Sequence, residues 1–240
     1  MIKIAHLYYD LMNLYGDNGN IKTLKINFEK QGLKTSVEFL TIGDQIDFNA
    51  YDIFYIGPGT WNNEKLVLKD LLKYKKEIKK AINNNKFFLI TGNALELFGK
   101  YILDNSKKIE TLDIADFYTE KLNQRLVGEV YAKVEGLKEL ILGFKNQDSI
   151  LKNNKKSFFE IIKGIGFDEN SKEDGIMMNN FLGTYLIGPI LVRNPELLEH
   201  LTRKVINSKF KDFKFKEFDL DLEKNAHDEY IKNYFEDEKK

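Results

Sequence analysis

Short apolar runs alternate with amphipathic segments through the first hundred residues, and this alternation constrains the fold most strongly. Apolar runs typical of buried strands cover residues 2–8, 33–40, 53–56 and 86–90. Helical spacing of apolar residues predicts helices over 21–31 and 64–83, and a third helix follows Gly92 and ends near Gly99. Strands that alternate with helices at these lengths favour a mostly parallel sheet with helices on both faces. We therefore predict an α/β fold.

The second half of the chain has a different pattern. Its candidate strands and helices are residues 125–134 and 137–144 as a hairpin, strands 158–165 and 181–186, and helices 195–208 and 220–235. Asn20 and Asn194 each precede a predicted helix, and asparagine is a favoured N-cap residue. We expect one domain over residues 1–235 with a mixed central sheet, followed by a charged tail at 236–240.

The composition limits the chemistry. The chain has no cysteine, which excludes disulfides, thiolate metal sites and thiol nucleophiles and fits a reducing cytoplasm. Lysine and arginine (37) balance aspartate and glutamate (37), so no net charge favours nucleic acid or a membrane surface. No apolar run approaches the roughly 18 residues of a membrane span. We predict no metal site and no cofactor. Arginine occurs only at Arg125, Arg193 and Arg203, so each is a candidate for a specific role.

Two predicted strands end in glycine-containing turns, at residues 57–59 and 91–93. Ligands of open α/β sheets bind beyond the carboxyl ends of the strands. Either turn alone is explained by the need for a tight turn, but two such turns on adjacent strands would indicate a site. The turn at Gly92 has the strand–turn–helix layout of a nucleophile elbow, whose strained conformation glycine adopts without a Cβ penalty. Free amides at the start of such a helix attract a carbonyl oxygen or an anion.

Two segments about ninety positions apart resemble the catalytic signatures of class I glutamine amidotransferases. They read ITGNALELFG at residues 90–99 and GTYLIGP at residues 183–189, against family patterns of roughly C-G-G-Y-Q-L-L-G and G-T-Y-L-H-G-P. In this comparison Gly92 stands at the position of the cysteine nucleophile and Ile187 at that of the histidine. Gln147 also replaces a histidine, and Glu96 replaces a glutamine. The resemblance implies a three-layer, flavodoxin-like fold without the Cys–His dyad.

Further segments extend this resemblance, of the CobB/CobQ-like type, over most of the chain. Residues 9–20, YDLMNLYGDNGN, are very similar to the opening of GatD, the amidotransferase subunit of lipid II isoglutaminyl synthase, which works with the Mur-ligase-like protein MurT in cell-wall peptidoglycan amidation. The 57–59 turn is similar to a G-G-G turn that helps to form the oxyanion site. Residues 124–129 are similar to a segment whose arginine contacts glutamine. The resemblance thus implies Gly57, Gly59, Asn93 and Arg125 as substrate-binding residues.

The departures from the family pattern lead to three hypotheses. An amidotransferase needs a thiolate and a base, and loss of the nucleophile alone costs about 10⁶ in turnover by analogy with triad knock-outs. We favour a non-catalytic subunit that binds a Mur-ligase-like (MurT-type) partner and stabilises or regulates it. One alternative is a sensor that holds glutamine or a related amino acid at Arg125 and the elbow amides. The other is a repurposed hydrolase or transferase that uses Thr91, Glu96 or Asp17.

Overall fold

The computed structural model describes residues 1–154 and 157–236. Strands in this part of the chain are β1 (Ile2–Leu7), β2 (Thr35–Leu40), β3 (Ile53–Ile56), β4 (Phe87–Thr91), β5 (Tyr101–Asp104), β6 (Lys107–Glu110), β7 (Tyr118–Lys133), β8 (Ile141–Lys152), β9 (Phe159–Lys163), β10 (Glu173–Asp174), β11 (Ile176–Met178) and β12 (Phe181–Thr184). Its α-helices are α1 (Gly19–Lys30), α2 (Trp61–Leu71), α3 (Lys75–Asn83), α4 (Ile190–Arg193), α5 (Pro195–Lys209) and α6 (Asp221–Ile231). Of the predicted tail at 236–240, residues 237–240 lie outside the described residues, and the single domain over 1–235 stays a prediction.

The first sheet has the strand order β11-β12-β4-β3-β1-β2. Its neighbouring strands pair in parallel, except that β11 runs antiparallel to β12. Successive residues of a strand point to opposite faces, and the two hydrophobic clusters of the molecule follow this alternation. Phe54, Ile56 and Phe88 belong to one cluster, whereas Ile53 and Tyr55 belong to the other. The predicted α/β fold with a mostly parallel sheet is confirmed.

A second sheet, which the prediction of one central sheet did not anticipate, holds most of the later strands. Its order is β10-β9-β7-β5-β6, with β8 paired antiparallel to β7. The hairpin of β7 and β8 is longer than predicted, and residues 137–140 form the turn between its strands rather than the start of β8. The predicted bounds were too short because β7 begins with charged and polar residues, which do not have the apolar pattern of a core strand.

The predicted helix over 64–83 is two helices. α2 and α3 are joined by one 3₁₀ turn at Leu72–Tyr74. α2 begins earlier than predicted because the hydroxyl of Thr60 accepts a hydrogen bond from the amide of Asn63 at 3.2 Å, which caps the helix. The segment after β4 is a 3₁₀ helix, Gly92–Phe98, and α6 is followed by a π-helical turn at Lys232–Glu236.

The predicted cap at Asn20 is wrong, whereas Asn194 holds the N-cap position of α5 as predicted but makes no side-chain cap hydrogen bond. Both side chains bind other elements instead. Asn20 lies inside α1, and its Oδ1 accepts a hydrogen bond from the amide of Leu191 at 2.8 Å. Asn194 accepts from the amide of Leu142 at 2.6 Å and donates to its carbonyl at 2.8 Å. Both asparagines therefore join distant segments.

Among the helices that the structure describes, none has the length and apolar character that a membrane span requires.

The buried imidazole of His6 gives stability a pH dependence. The ring packs against those of Tyr9, Phe39 and Tyr55, and neither nitrogen has a hydrogen-bond partner among residues 1–154 and 157–236. Burial lowers the pKa of His6 from 6.5 to about 4. The unfolded chain therefore binds the proton first as the pH falls, so the stabilisation present above pH 6.5 is lost between 6.5 and about 4.

Replacement of His6 by leucine is expected to remove this dependence. At 1.36 kcal/mol per pKa unit, wild type should lose about 3 kcal/mol more free energy of unfolding than His6→Leu across that range. Urea unfolding of both proteins at several pH values measures the difference, in which the other titrating groups cancel. Parallel pH profiles for the two proteins would show that His6 does not titrate as argued.

Candidate functional site

The segments that the sequence analysis singled out meet at the carboxyl edge of the first sheet. The Gly57–Gly59 turn follows β3, Gly92 follows β4, and Ile187 comes shortly after β12. These three strands are neighbours, with β4 in the middle. Because the carboxyl ends of parallel strands share one edge, the turns converge where ligands of open α/β sheets bind.

Gly92 and Ile187 lie side by side. Gly92 has a φ of +63°, in the left-handed region that favours glycine. A β-carbon on Gly92 would lie 3.2 Å from Cγ2 of Ile187 and 2.6 Å from Cβ of Pro58. The two positions that the resemblance pairs as nucleophile and base are thus brought together, but neither carries an ionisable group. Pro58 occupies the space into which a side chain at position 92 would extend.

The two glycines of the Gly57–Gly59 turn have no room for a larger side chain. A β-carbon on Gly57 would lie 3.0 Å from the carbonyl oxygen of Met12, and one on Gly59 would contact the sulfur of the same residue. The amide of Gly59 donates to Oδ1 of Asn93 at 2.9 Å, and Nδ2 of Asn93 donates to Glu64 at 2.6 Å. The Gly59 donor and the Asn93 side chain, both predicted to bind substrate, therefore bind each other.

The carboxylate of Asp17 is hydrogen-bonded to both signature segments. Its carboxylate accepts hydrogen bonds from the hydroxyls of Thr91 and Tyr55, the latter at 2.8 Å, and from the amide of Gly188 at 3.1 Å. Asp17 and Thr91 are fully buried. Burial raises the pKa of Asp17, and these hydrogen bonds oppose the increase. The conspicuous opening motif thus fixes the end of β4 relative to the segment that carries Ile187.

A buried charge cluster lies beside the elbow. The ammonium of Lys121 lies 3.2 Å from Glu96, 3.6 Å from Glu64 and 3.1 Å from Asp148, and its side chain is 8% exposed. It also lies 4.3 Å from the centre of the Trp61 ring, a cation–π distance. Ser149 donates a hydrogen bond to Glu96, and Thr119 does so at 3.2 Å. Glu96, a catalytic candidate of the third hypothesis, is therefore held by hydrogen bonds and an ion pair.

The charges in this cluster perturb each other. Burial raises the pKa of Glu64 well above its usual value, and the nearby Glu96 raises it further, whereas Lys121 and the hydrogen bond from Asn93 lower it. Burial alone would lower the pKa of Lys121, but the charges of Glu96, Glu64 and Asp148 outweigh burial and raise it. The cluster thus keeps Lys121 charged.

Arg125 lies at the rim of the site and is bound by its own hairpin. Its Nη1 donates to Oδ1 of Asn146 at 2.7 Å and to the carbonyl of the same residue at 3.1 Å, and Nη2 lies 3.5 Å from Asp148. The side chain is 50% exposed. Gln147, which stands where the family has a histidine, is buried and donates to the carbonyl of Ser149 at 2.8 Å.

The cavity at this site is very small, about 20 Å³. One water needs about 10–15 Å³, so the space accommodates a single water and not an amino acid. Its lining residues are Tyr15, Pro58, Gly59, Trp61, Gly92, Asn93, Arg125, Asn146, Gln147, Asp148, Tyr185 and Ile187. Asp17, Thr91 and Glu96 are not among them. Within residues 1–154 and 157–236 no group of three or more potential ligands is placed to hold a metal ion.

Sequence reasoning missed three residues in or beside the site. Lys121 and Glu64 belong to no recognisable motif. Each is one of many charged residues in an amphipathic segment, so the sequence does not single it out. Pro58 could have been found, since it replaces the central glycine of the family's G-G-G turn. A sequence pattern shows that residue type, but only the structure shows that the ring blocks position 92.

Comparison with known proteins agrees with this architecture. Residues 3–195 match the family described as CobB/CobQ-like glutamine amidotransferase domain. The chain is 34% identical over 213 residues to the lipid II isoglutaminyl synthase (glutamine-hydrolyzing) subunit GatD of Streptococcus pneumoniae (strain ATCC BAA-255 / R6), covering 87% of this chain and 82% of that one. The subunit of the same name from Staphylococcus aureus (strain N315) is 34% identical over 226 residues, with coverages of 94% and 93%.

Solved structures show the same fold at much lower identity. A glutamine amidotransferase crystal structure superposes with a TM-score of 0.56 at 11% identity, covering 84% of this chain and 98% of that one. A second, from Thermotoga maritima, gives 0.54 at 11% identity, with coverages of 96% and 92%.

Proposed function

The chain belongs to the CobB/CobQ-like glutamine amidotransferase family, and from this premise we propose that it is a catalytically inactive, GatD-like subunit of a complex with a Mur-ligase-like (MurT-type) protein. In that role it stabilises or regulates its partner. The partner then uses free ammonia or performs no amidation. Peptidoglycan amidation and a cytoplasmic location remain parts of this proposal.

One observation carries the proposal, the contact between Gly92, Ile187 and Pro58. Covalent glutamine hydrolysis needs a nucleophile activated by an adjacent base. A β-carbon on Gly92 would meet Ile187 at 3.2 Å, so the two positions are adjacent, yet they offer only hydrogen and hydrocarbon. Pro58 also fills the space that a nucleophile would need.

The buried polar contacts around this position are satisfied, which supports a structural role. Asp17 accepts hydrogen bonds from Thr91 and from the amide of Gly188, and Asn20 accepts one from the amide of Leu191. A chain that had lost all function would have no reason to hold these buried polar groups, each of which costs free energy when left unpaired. A partner that binds the shape of this subunit gives such a reason.

The two alternatives have less support. Thr91 and Asp17 hydrogen-bond each other but are fully buried and do not line the cavity, so a substrate does not reach them. For the sensor hypothesis, the cavity of about 20 Å³ is too small for glutamine, and Arg125 is held by Asn146 and Asp148.

We expect calorimetric titration with glutamine or glutamate to show no binding at millimolar concentration. The reason is that binding would require the hydrogen bonds and ion pair of Arg125, and the Gly59–Asn93 hydrogen bond, to break. Arg125→Ala serves as the matched variant. Heat from the wild type that disappears in Arg125→Ala would contradict the prediction and favour the sensor.

The test of partner binding is isolation of the tagged protein from its native host, read by mass spectrometry. A Mur-ligase-like protein in near-equal amount is the expected result, with an unrelated tagged protein as the control. Recovery of the tagged protein without such a partner would overturn the proposal of a subunit.

A further inference from the structure

A mainly apolar groove lies on the outer face of α2, away from the candidate site. Its volume is about 640 Å³, and it runs between α2 and the edge strand β6. The lining residues are Asn62, Lys65, Leu66, Leu68, Lys69, Leu72, Lys107, Lys108, Ile109 and Glu110. Glu64 on the inner face of α2 is buried and accepts a hydrogen bond from Asn93, whereas Leu66 and Leu72 are 48% and 37% exposed at the groove. Both side chains line the same groove, where apolar groups of a bound segment would cover them.

The rim of the groove is strongly basic. Four lysines and one glutamate line it. Lys108 is paired with Glu110 at 2.8 Å, and Lys65 lies over the ring of Trp61 at 5.1 Å. Lys69 and Lys107 have no carboxylate partner among the residues that the structure describes. The charge that complements this rim is negative, although the chain as a whole has a formal net charge of zero.

One side of the groove is a strand edge. β6 pairs antiparallel with β5 and ends the second sheet, and within the described residues no strand pairs with its outer edge. Unpaired backbone donors and acceptors on such an edge accept an added strand, and lysine on an edge strand discourages pairing with an identical chain. A second copy of this chain would place lysine against lysine at this edge.

We propose that this groove docks an extended acidic segment of a partner protein. Its apolar side chains would contact Leu66 and Leu72, and its carboxylates would pair with Lys69 and Lys107. The surface shares no residue with the candidate site, so the proposal does not rest on the loss of glutaminase activity.

Photo-crosslinking in the native host tests the proposal. Leu66 is replaced by p-benzoylphenylalanine in the full chain, and the crosslinked peptide is identified by mass spectrometry. Ile26, 51% exposed on α1, carries the same group in a control protein. The expected product at Leu66, absent at Ile26, is a peptide of another protein in which aspartate and glutamate outnumber lysine and arginine.

Charge reversal distinguishes specific docking from general attraction. Lys69→Glu with Lys107→Glu should reduce the crosslink by about tenfold or more, because like charges would then face each other. Lys76→Glu with Lys79→Glu, which reverses two exposed lysines of α3 outside the groove, should leave it unchanged. A crosslink to a second copy of this chain, a crosslinked peptide without excess acidic residues, equal loss in both double variants, or no crosslink above the Ile26 control would each overturn the proposal.

Discussion

Substitution of Gly92 by alanine is expected to lower the free energy of unfolding by about 2–5 kcal/mol. Two effects add at this position. The φ of +63° strains any residue that has a β-carbon, and the added carbon would lie 2.6 Å from Cβ of Pro58. Such a distance requires the turn between β3 and α2 to move, although Asn93 and Met12 hold it closely on both sides. Urea unfolding of both proteins measures the loss.

The chain offers a control that separates these two effects. Gly16 has a φ of +68° but no atom within 4 Å of a β-carbon, so Gly16→Ala should cost only the backbone strain, about 1–2 kcal/mol. A double-mutant cycle of Gly92→Ala with Pro58→Gly should show a favourable coupling of about 1–3 kcal/mol, because the second change removes the clashing carbon. Equal losses at Gly16 and Gly92, with no coupling to Pro58, would show that Pro58 does not block the position.

Replacement of Lys121 by methionine is expected to cost about 3–5 kcal/mol, because it leaves buried carboxylates without their counter-charge. The ammonium lies between Glu64, Glu96 and Asp148, and two of these carboxylates are fully buried. Unfolding by urea at neutral pH measures the loss. Loss of this cation should also raise the pKa of Glu64 further, since Lys121 is the charge that lowers it.

An exposed ion pair provides the comparison for Lys121. Lys25 lies 3.8 Å from Glu29 on α1, with the side chains 43% and 46% exposed, so Lys25→Met should cost less than about 1 kcal/mol. Combining Lys121→Met with Glu64→Gln and Glu96→Gln should recover part of the lost stability, because the uncompensated charges are removed. Similar costs at Lys25 and Lys121 would show that the cluster is solvated rather than buried.

The sequence predicted five of the six strands of the first sheet, all except β11. Residues 53–56 and 86–90 are apolar runs that end at glycine turns, and both are strands of the first sheet whose turns meet at one edge. The pairing of position 92 with position 187 followed from family resemblance, and the structure places them in contact. The strands and turns were predictable because residues close in sequence decide them, whereas the pairing of the two positions needed the resemblance.

What the sequence did not predict depends on residues far apart in the chain. Asn20 and Asn194 are of a residue type that favours the N-cap position. Their side chains nevertheless bind Leu191 and Leu142, and no local rule favours those partners over the helix end. The second sheet was missed because β7 carries polar residues such as Lys121 that become buried only against Glu64 and Glu96. The size of the cavity depends in the same way on the contact of Pro58 with Gly92 and on the hydrogen bond of Gly59 to Asn93.

The most direct test of the central claim is release of ammonia and glutamate from glutamine by the purified protein, alone and with the proposed Mur-ligase-like partner. The Staphylococcus aureus relative, named as glutamine-hydrolyzing, serves as the positive control. Because position 92 has no nucleophile and position 187 no base, turnover should be about 10⁶ below that of an intact dyad. Turnover comparable to that of the relative, with or without the partner, would contradict the account.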